Sequence, residues 1–274
     1  MRYFLKHLAI LCGCMMAIFP GLSSAKDLIV GGYPSYPPVE MRDPATGKSV
    51  GFDIDFAAEL AQEMGVKITF SETAFAQLIP SLQTGRLDFF LSAMSDTAER
   101  QKHLTFVDYL RSGTQLMVLS SAADQGKTLK DYCGKKIAAS RATNIIAQLN
   151  EWSDKHCTSA GLSKMNVVGA ENNIDARMQL KQNRVDAMAQ DSLTIPYIQQ
   201  IEKGVFTTVD QPINFSYMGM GVSSDNVPLQ KSLQQALQKM IDNGRYAALL
   251  KKWNLPAVSA VPAALINSKP ASAL

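Results

Sequence analysis

Histidine is scarce in this chain: there are three among 274 residues, His7, His103 and His156. So few histidines make a histidine-rich metal centre or a histidine general base hard to assemble. Cysteine is nearly as scarce, with four in all, and Cys12 and Cys14 fall in an N-terminal apolar stretch. The other two, Cys133 and Cys157, lie too far apart for the close-spaced ligand pairs of a zinc site or the C-x-x-C of a redox centre. No block of basic residues stands out, and 27 Lys and Arg against 24 Asp and Glu leave a charge of only +3, which argues against nucleic acid as a partner. No apolar run beyond the N-terminus reaches the length that spans a bilayer, so a soluble mature chain is expected.

What is present begins with a leader. Arg2, Lys6 and His7 form a basic start, residues 8–19 an apolar core too short to span a membrane, and Ser23-Ser24-Ala25 a small-residue cleavage site. Residues 1–25 therefore read as a cleaved signal peptide and the mature protein as periplasmic. Leu11-Cys12-Gly13-Cys14 faintly resembles a lipoprotein box, but the apolar run continues past Cys14 and almost none precedes it. Removing Arg2 and Lys6 takes the 27 cations to 25 against 24 acids, near +1. Export implies an oxidising compartment, and a Cys133–Cys157 disulfide is expected. It would close a loop of about 25 residues, worth roughly 3.5 kcal/mol in the chain-entropy model.

The remainder is organised around residues 85–100, GRLDFFLSAMSDTAER. Gly85 suits a left-handed helix end, residues 87–91 a buried strand, and Asp96 with Glu99 an N-cap and its partner on a new helix. Arg100 falls in that helix's first turn, where free N–H groups and a guanidinium suit a small carboxylate. Ser92 and Ser95 are expected to place hydroxyls on the same turn. Taken alone, Arg100 reads more readily as a solvated surface charge.

Before this stretch, residues 28–31 form a strand entering a stiff proline-rich loop, in which Tyr33 and Tyr36 either stack on a ligand or cover the loop. Residues 42–49 read as an exposed turn. Phe52, Phe56, Leu60 and Met64 recur every four residues as one helix face, with Asp53 and Asp55 at its positive end. A strand over 66–70 and a helix over 73–84, awkwardly containing Pro80, complete an α/β half in which loops 32–38, 71–75 and 92–100 share the ligand-binding ends of the strands.

A second unit opens after a strand at 114–119. It has a strand at 137–140, then Arg141-Ala142-Thr143-Asn144 with Thr143 or Asn144 as N-cap, and a helix over 145–156. Residues 180–187, LKQNRVDA, echo 82–89, LQTGRLDF, with Asn183 standing where Gly85 does. Asp191 follows the strand 185–190, either capping a helix over 192–201 or facing a cleft to hold an ammonium. Strands at 206–209 and 217–223 follow, the latter expected to pair with 114–119 and return the chain to the first unit. Asp225 or Asn226 caps a helix stopped by Gly244, and a short helix over 246–253 follows. Residues beyond Pro256 either drape over the body or are disordered.

At this point the residues carry a resemblance. Gly51-Phe52-Asp53-Ile54-Asp55-Phe56 matches the signature of the periplasmic amino-acid-binding proteins that serve ABC importers, solute-binding family 3. Residues 78–88, LIPSLQTGRLD, and 94–100, MSDTAER, match its next two blocks, and the family carries a proline at position 80. The likeness covers about residues 28–253. It implies a two-lobed α/β periplasmic-binding-protein-like fold (type II), joined by two crossing hinge segments around a ligand cleft. Lobe 1 is then 26–111 with 223–274, and lobe 2 is 112–222. The resemblance implies that Arg100 pairs with a ligand carboxylate, supported by Thr97 and the turn of Ser92, Ala93 and Ser95. Phe75 packs on the ligand, Thr143 and Asn144 donate to the carboxylate, and Asp191 takes the α-ammonium. The family often has an acid where Tyr33 stands and Gly-Thr-Thr where Ala142-Thr143-Asn144 stands, while Arg141 could enter the cleft. Loss of the acid argues mildly against lysine, arginine or ornithine.

The expected function is capture of an amino acid, or an amino-acid-like small molecule, for delivery to an ABC permease by a monomer without cofactor, metal or catalytic residue. The alternative is a periplasmic dehydratase-type enzyme on the same fold acting on a small carboxylic acid. It would need a proton-transfer residue in the cleft, and neither His103 nor His156 is well placed. A third reading is a sensor that docks its closed form on a signalling partner.

Overall fold

The computed structural model describes residues 27–268. The leader and its cleavage site, Cys12 and Cys14 lie outside the described residues. In chain order the elements are β1 (Leu28–Gly32), β2 (Ser35–Tyr36), β3 (Glu40–Arg42), β4 (Ser49–Val50), α1 (Phe52–Met64), β5 (Ile68–Glu72), α2 (Leu78–Gln83), β6 (Phe89–Ser95), α3 (Ala98–Gln101) and β7 (Thr105–Leu119). Then come β8 (Lys136–Ser140), α4 (Ile145–His156), β9 (Asn166–Ala170), α5 (Asn173–Lys181), β10 (Ala187–Asp191), α6 (Ile195–Ile201), β11 (Phe206–Val222), α7 (Val227–Asp242), α8 (Arg245–Lys252) and β12 (Leu265–Ile266).

One mixed sheet runs β5-β1-β6-β11-β7-β10-β8-β9, with β12 on the edge of β7. Its ends are parallel blocks, β5-β1-β6 and β10-β8-β9, and its middle is the antiparallel ladder of β7 and β11. The two blocks are the two lobes, and β7 and β11 cross between them. Each lobe packs an apolar cluster on each sheet face. In the first, Phe52, Phe56 and Leu60 of α1 meet Leu233 and Leu237 of α7 on one side, and Leu78, Leu87, Phe90 and Phe106 fill the other. In the second, Ile145 and Leu149 of α4 cover one face and Ala176, Leu180 and Ile198 the other. Helices on both faces explain why the inner parallel strands β1, β6 and β8 read as mostly apolar runs.

Several sequence expectations need correction. Residues 217–222 pair with Thr105–Arg111, not with 114–119; the latter pairs with 206–213, because β7 and β11 are each one long antiparallel strand with bulges. The buried strand expected at 87–91 runs from Phe89 to Ser95, so Ser92 and Ser95 sit on a strand. The expected helix 73–84 is a 3-10 turn at Phe75–Gln77 followed by Leu78–Gln83. Pro80 is therefore in the first turn of α2, where its missing N–H is least costly. The helix after Asp191 starts only at Ile195, with Thr194 in the cap position. The cap of α3 is Thr97, whose hydroxyl accepts from the Arg100 N–H at 3.3 Å. Asp96 is instead buried and accepts from Gln101 at 2.7 Å, and Glu99 is exposed beside Lys102. Asn226 caps α7, accepting from the Leu229 N–H at 3.2 Å.

The Cys133–Cys157 disulfide is present, with Cα atoms 5.6 Å apart, and ties the C-terminal end of α4 to the approach to β8. Residues 257–268 drape over the first lobe. The Val261 N–H donates to the Tyr246 hydroxyl at 3.0 Å, and β12 pairs with residues 107 and 108 of β7.

Candidate functional site

Strand ends from both lobes surround a cavity of about 440 Å³. From the first lobe come Tyr33 and Tyr36 beyond β1, Phe75 beyond β5, Ser92, Ala93 and Ser95 of β6, and Arg100 of α3. From the second come Arg141, Thr143 and Asn144 beyond β8, and Asp191 at the end of β10. All eleven candidate residues thus line one cavity. Thr97 is not among the lining residues; it serves as the α3 cap.

Arg100 is held in place by two neighbours. Its Nη1 donates to the Ser95 carbonyl at 2.9 Å, and its Cζ lies 6.0 Å from the centroid of the Phe75 ring. This leaves the remaining guanidinium N–H groups for a ligand. Burial lowers the Arg100 pKa, against the opposing charges of Asp191 and Asp96. Asp191 pairs backbone to backbone with Thr114 of the crossing strand β7, and its carboxylate caps no helix. Burial raises its pKa to about 6, while the hydroxyl of Tyr36 and the Arg100 charge pull it down. The Tyr36 hydroxyl lies against this carboxylate yet has no partner in good hydrogen-bonding geometry. A cation and an anion from opposite lobes therefore sense each other across the cavity without an ion pair within 4 Å. An unpaired, partly desolvated charge of each sign is what a zwitterion would complete.

The second-lobe turn shows how the cavity wall is built. The Thr143 hydroxyl donates to the Ser140 carbonyl at 2.9 Å and accepts from the Ile145 N–H at 3.4 Å. Asn144 occupies the cap position of α4 but makes no capping bond; its side-chain oxygen accepts from the Ser95 hydroxyl at 3.3 Å across the cleft. The N-terminal end of α4 borders the cavity at Asn144.

Sequence reasoning missed Ser35, Ala74, Ala76, Ser140, Ala142 and the run Glu171-Asn172-Asn173, which also line the cavity. The last three follow β9 as Arg141 follows β8, and Ser140 pairs with Ala170. The strand-end rule would have found them had β9 been recognised. Arg141 and Glu171 are exposed at this rim, with no ion pair between them. Among the described residues no group of three or more His, Cys, Asp or Glu could hold a metal ion, and His103 and His156 do not line the cavity.

The described chain matches a known family along most of its length. Residues 28–256 match the model for bacterial extracellular solute-binding proteins, family 3. The histidine-binding periplasmic protein of Escherichia coli K12 is 28% identical over 235 residues, covering 83% of this chain and 87% of that one. An ancestral arginine-binding protein bound to arginine superposes with TM-score 0.72 at 30% identity, over 84% of this chain and 99% of that one. An ancestral amino acid-binding protein that is a precursor of cyclohexadienyl dehydratase superposes with TM-score 0.71 at 30% identity, over 83% and 95%. No helix among the described residues is long and apolar enough to cross a membrane.

Proposed function

We propose that this chain, which belongs to the bacterial extracellular solute-binding proteins of family 3, captures an amino acid between its lobes and delivers it to a membrane-embedded ABC permease. The observation that carries this is the pairing of Arg100 and Asp191, from opposite lobes, on one cavity. A guanidinium binds a carboxylate through two parallel N–H bonds, and a carboxylate binds an ammonium as a point charge. Each charge-assisted bond contributes about 1.5–3 kcal/mol. Because the two charges sit on different lobes, the ligand favours the conformation that brings them together, and closure becomes the signal a permease can read. The second-lobe turn at Thr143 and Asn144 adds donors to the carboxylate, and Phe75 with Tyr33 and Tyr36 packs on the ligand. Of the described residues, 27–111 with 217–268 form lobe 1 and 112–216 lobe 2, a boundary six residues earlier than the sequence suggests, because residues 217–222 pair with 105–111 and with β6 of the first lobe; the crossings then lie on β7 and β11. The protein acts as an exported, periplasmic monomer and catalyses nothing.

Calorimetry against a panel of amino acids, opines and small dicarboxylates tests this. Saturable binding of at least one α-amino acid is expected, with the ligand recovered unchanged by mass spectrometry. Binding confined to compounds lacking the α-ammonium would overturn it. Turnover of a bound carboxylic acid would favour the dehydratase reading, which the likeness to a dehydratase precursor keeps in view.

A further inference from the structure

Beneath the cavity wall lies a buried acidic cluster that the ligand grip does not use. Opposite β11, strand β6 carries two residues too many: Phe90 pairs with Gly221 and Met94 with Gly219, so Leu91, Ser92 and Ala93 face Met220 alone. Ser92 and Ala93 have φ of 84° and 44°, two consecutive non-glycine residues in the left-handed region. Each such residue is unfavourable, and a pair persists only where the surroundings hold it.

The surroundings are Glu40, Asp53 and Tyr109, all fully buried, none lining the cavity. The Ser92 N–H donates to Asp53 Oδ2 at 2.7 Å, and the Ala93 N–H donates to the Tyr109 hydroxyl at 2.9 Å. That hydroxyl donates in turn to Asp53 at 2.9 Å. The Ser92 hydroxyl donates to Glu40, and the Tyr33 N–H donates to both Glu40 Oε2 at 2.6 Å and Ser92 Oγ at 2.8 Å. The N–H groups of Ser92, Ala93 and Tyr33 and the Ser92 hydroxyl are thus all engaged by this cluster. Stacking of Tyr109 on Phe56, with centroids 5.0 Å apart, fixes the hydroxyl in the first-lobe core. A Cβ on Gly32 would collide with the Glu40 carboxyl, so only glycine lets β1 pass this close. Burial raises Glu40 to about 7, and burial with the Glu40 charge pushes Asp53 well up, so near neutral pH the two acids carry less than two charges. Among the described residues no cation faces them; Tyr109 is a titratable group in contact, and Tyr36 senses the Asp53 charge.

We propose that Glu40, Asp53 and Tyr109 are positioning residues for the ligand: they clamp the Ser92–Ala93 bulge from below and so fix the wall between Arg100 and Asp191. This rests on the amino-acid-binding reading. An acid pair of this kind is costly to bury and would be poor value as a purely structural device, because apolar residues fill such space better. Its return is a rigid wall that needs no reordering when the ligand arrives.

The test uses glycine, which takes a positive φ freely. Amino-acid affinity and thermal midpoint are measured for the full mature chain, for Tyr109→Phe, and for Tyr109→Phe with Ala93→Gly. Tyr109→Phe keeps the ring stack but removes the clamp on the Ala93 N–H; affinity is expected to fall at least tenfold. Adding Ala93→Gly is expected to restore affinity threefold or more, whatever the midpoint does. A loss that simply follows the thermal midpoint, with no recovery in the glycine variant, would overturn the clamp, as would unchanged affinity in Tyr109→Phe. Should the unsubstituted protein bind no amino acid, the functional reading fails instead. The clamp is then decided in the free protein: amide exchange at Ser92 and Ala93 should accelerate tenfold or more in Tyr109→Phe, and unchanged exchange would overturn it.

Discussion

The two lobes are built alike up to the end of one strand and differ immediately after it. In the first, α2 ends at Gly85 with φ 69°; the Asp88 N–H donates to the Ile29 carbonyl at 2.9 Å, and its carboxylate accepts from the Ile29 N–H at 2.8 Å. In the second, α5 ends near Asn183 with φ 54°; Asp186 makes the same pair of bonds to Lys136, each 2.8 Å. A helix, a left-handed residue and an aspartate that pins the parallel neighbour are thus used twice. Beyond that point β6 bulges at Ser92–Ala93 and leads to a cation, whereas β10 continues straight into an anion. The repeated portion sets the register of the sheet, and the unrepeated portion holds the residues proposed to grip the ligand. That division is what the crevice rule for parallel sheets anticipates.

The sharpest way to break this contrast is to remove its cation. Arg100→Ala is expected to weaken amino-acid binding by about 2–5 kcal/mol, roughly thirtyfold to several thousandfold, because Asp191 and the ligand carboxylate lose their counter-charge. The thermal midpoint without ligand should hardly move, since α3 is a single turn whose cap is Thr97. Undiminished binding, measured by calorimetry, would remove Arg100 from the site. A second asymmetry is the disulfide, which braces only the second lobe. Replacing Cys133 and Cys157 together by serine should cost about 3 kcal/mol in urea unfolding. Affinity should be unaffected, because the bond joins the end of α4 remote from Asn144. A changed affinity with unchanged stability would contradict the role of a brace.

The fold was largely legible because its signals are local. Phe52, Phe56 and Leu60 announced α1, and Gly85 and Asn183 marked the two helix ends before any contact was known. Tyr33, Tyr36, Arg141 and Asp191 were reachable from the strand-end rule, whereas Ser92, Ala93 and Ser95 lie on β6 itself and the roles of Phe75, Thr143 and Asn144 came from the family resemblance. What stayed hidden depends on partners distant in sequence. Asp53 reads locally as a helix-dipole charge, but it is fully buried under Ser92, thirty-nine positions away. Asp96 looks like a cap but is drawn inward, its N–H bonded to the Tyr217 carbonyl at 2.9 Å, so the cap falls to Thr97. The β7–β11 ladder is interrupted by register shifts that break the alternation of each strand. Polar β9, with Asn166 and Gly169, gave too little apolar signal, and Glu171-Asn172-Asn173 went unnoticed with it.

Asp191 sharpens the comparison through pH. Its pKa in the free protein is raised to about 6, chiefly by burial. An ammonium favours the ionised form, so binding must pull that pKa down and expel a proton wherever the free carboxyl is protonated. Affinity should therefore be flat above pH 7 and fall towards tenfold per unit as pH drops below 6. Asp191→Asn should weaken binding about tenfold to a hundredfold at pH 7.5, with the slope below pH 6 reduced. An unaltered slope in calorimetry would assign the titration to another group.

The smallest expected effect tests the repeated portion itself. The φ of Gly85 is 69° and nothing lies within 4 Å of where its Cβ would stand, so a side chain there meets only a conformational penalty. Gly85→Ala should lower stability by about 1–2 kcal/mol, the usual cost of the left-handed region. Gly85→Asn, which copies the second lobe, should cost about half of that or less, because asparagine tolerates this conformation. Ligand affinity should be the same in both variants, since Gly85 lies at the opposite end of β6 from the cavity. Equal losses for alanine and asparagine in urea unfolding would mean that Asn183 holds its φ of 54° through its surroundings, and the two helix ends would no longer count as one device used twice.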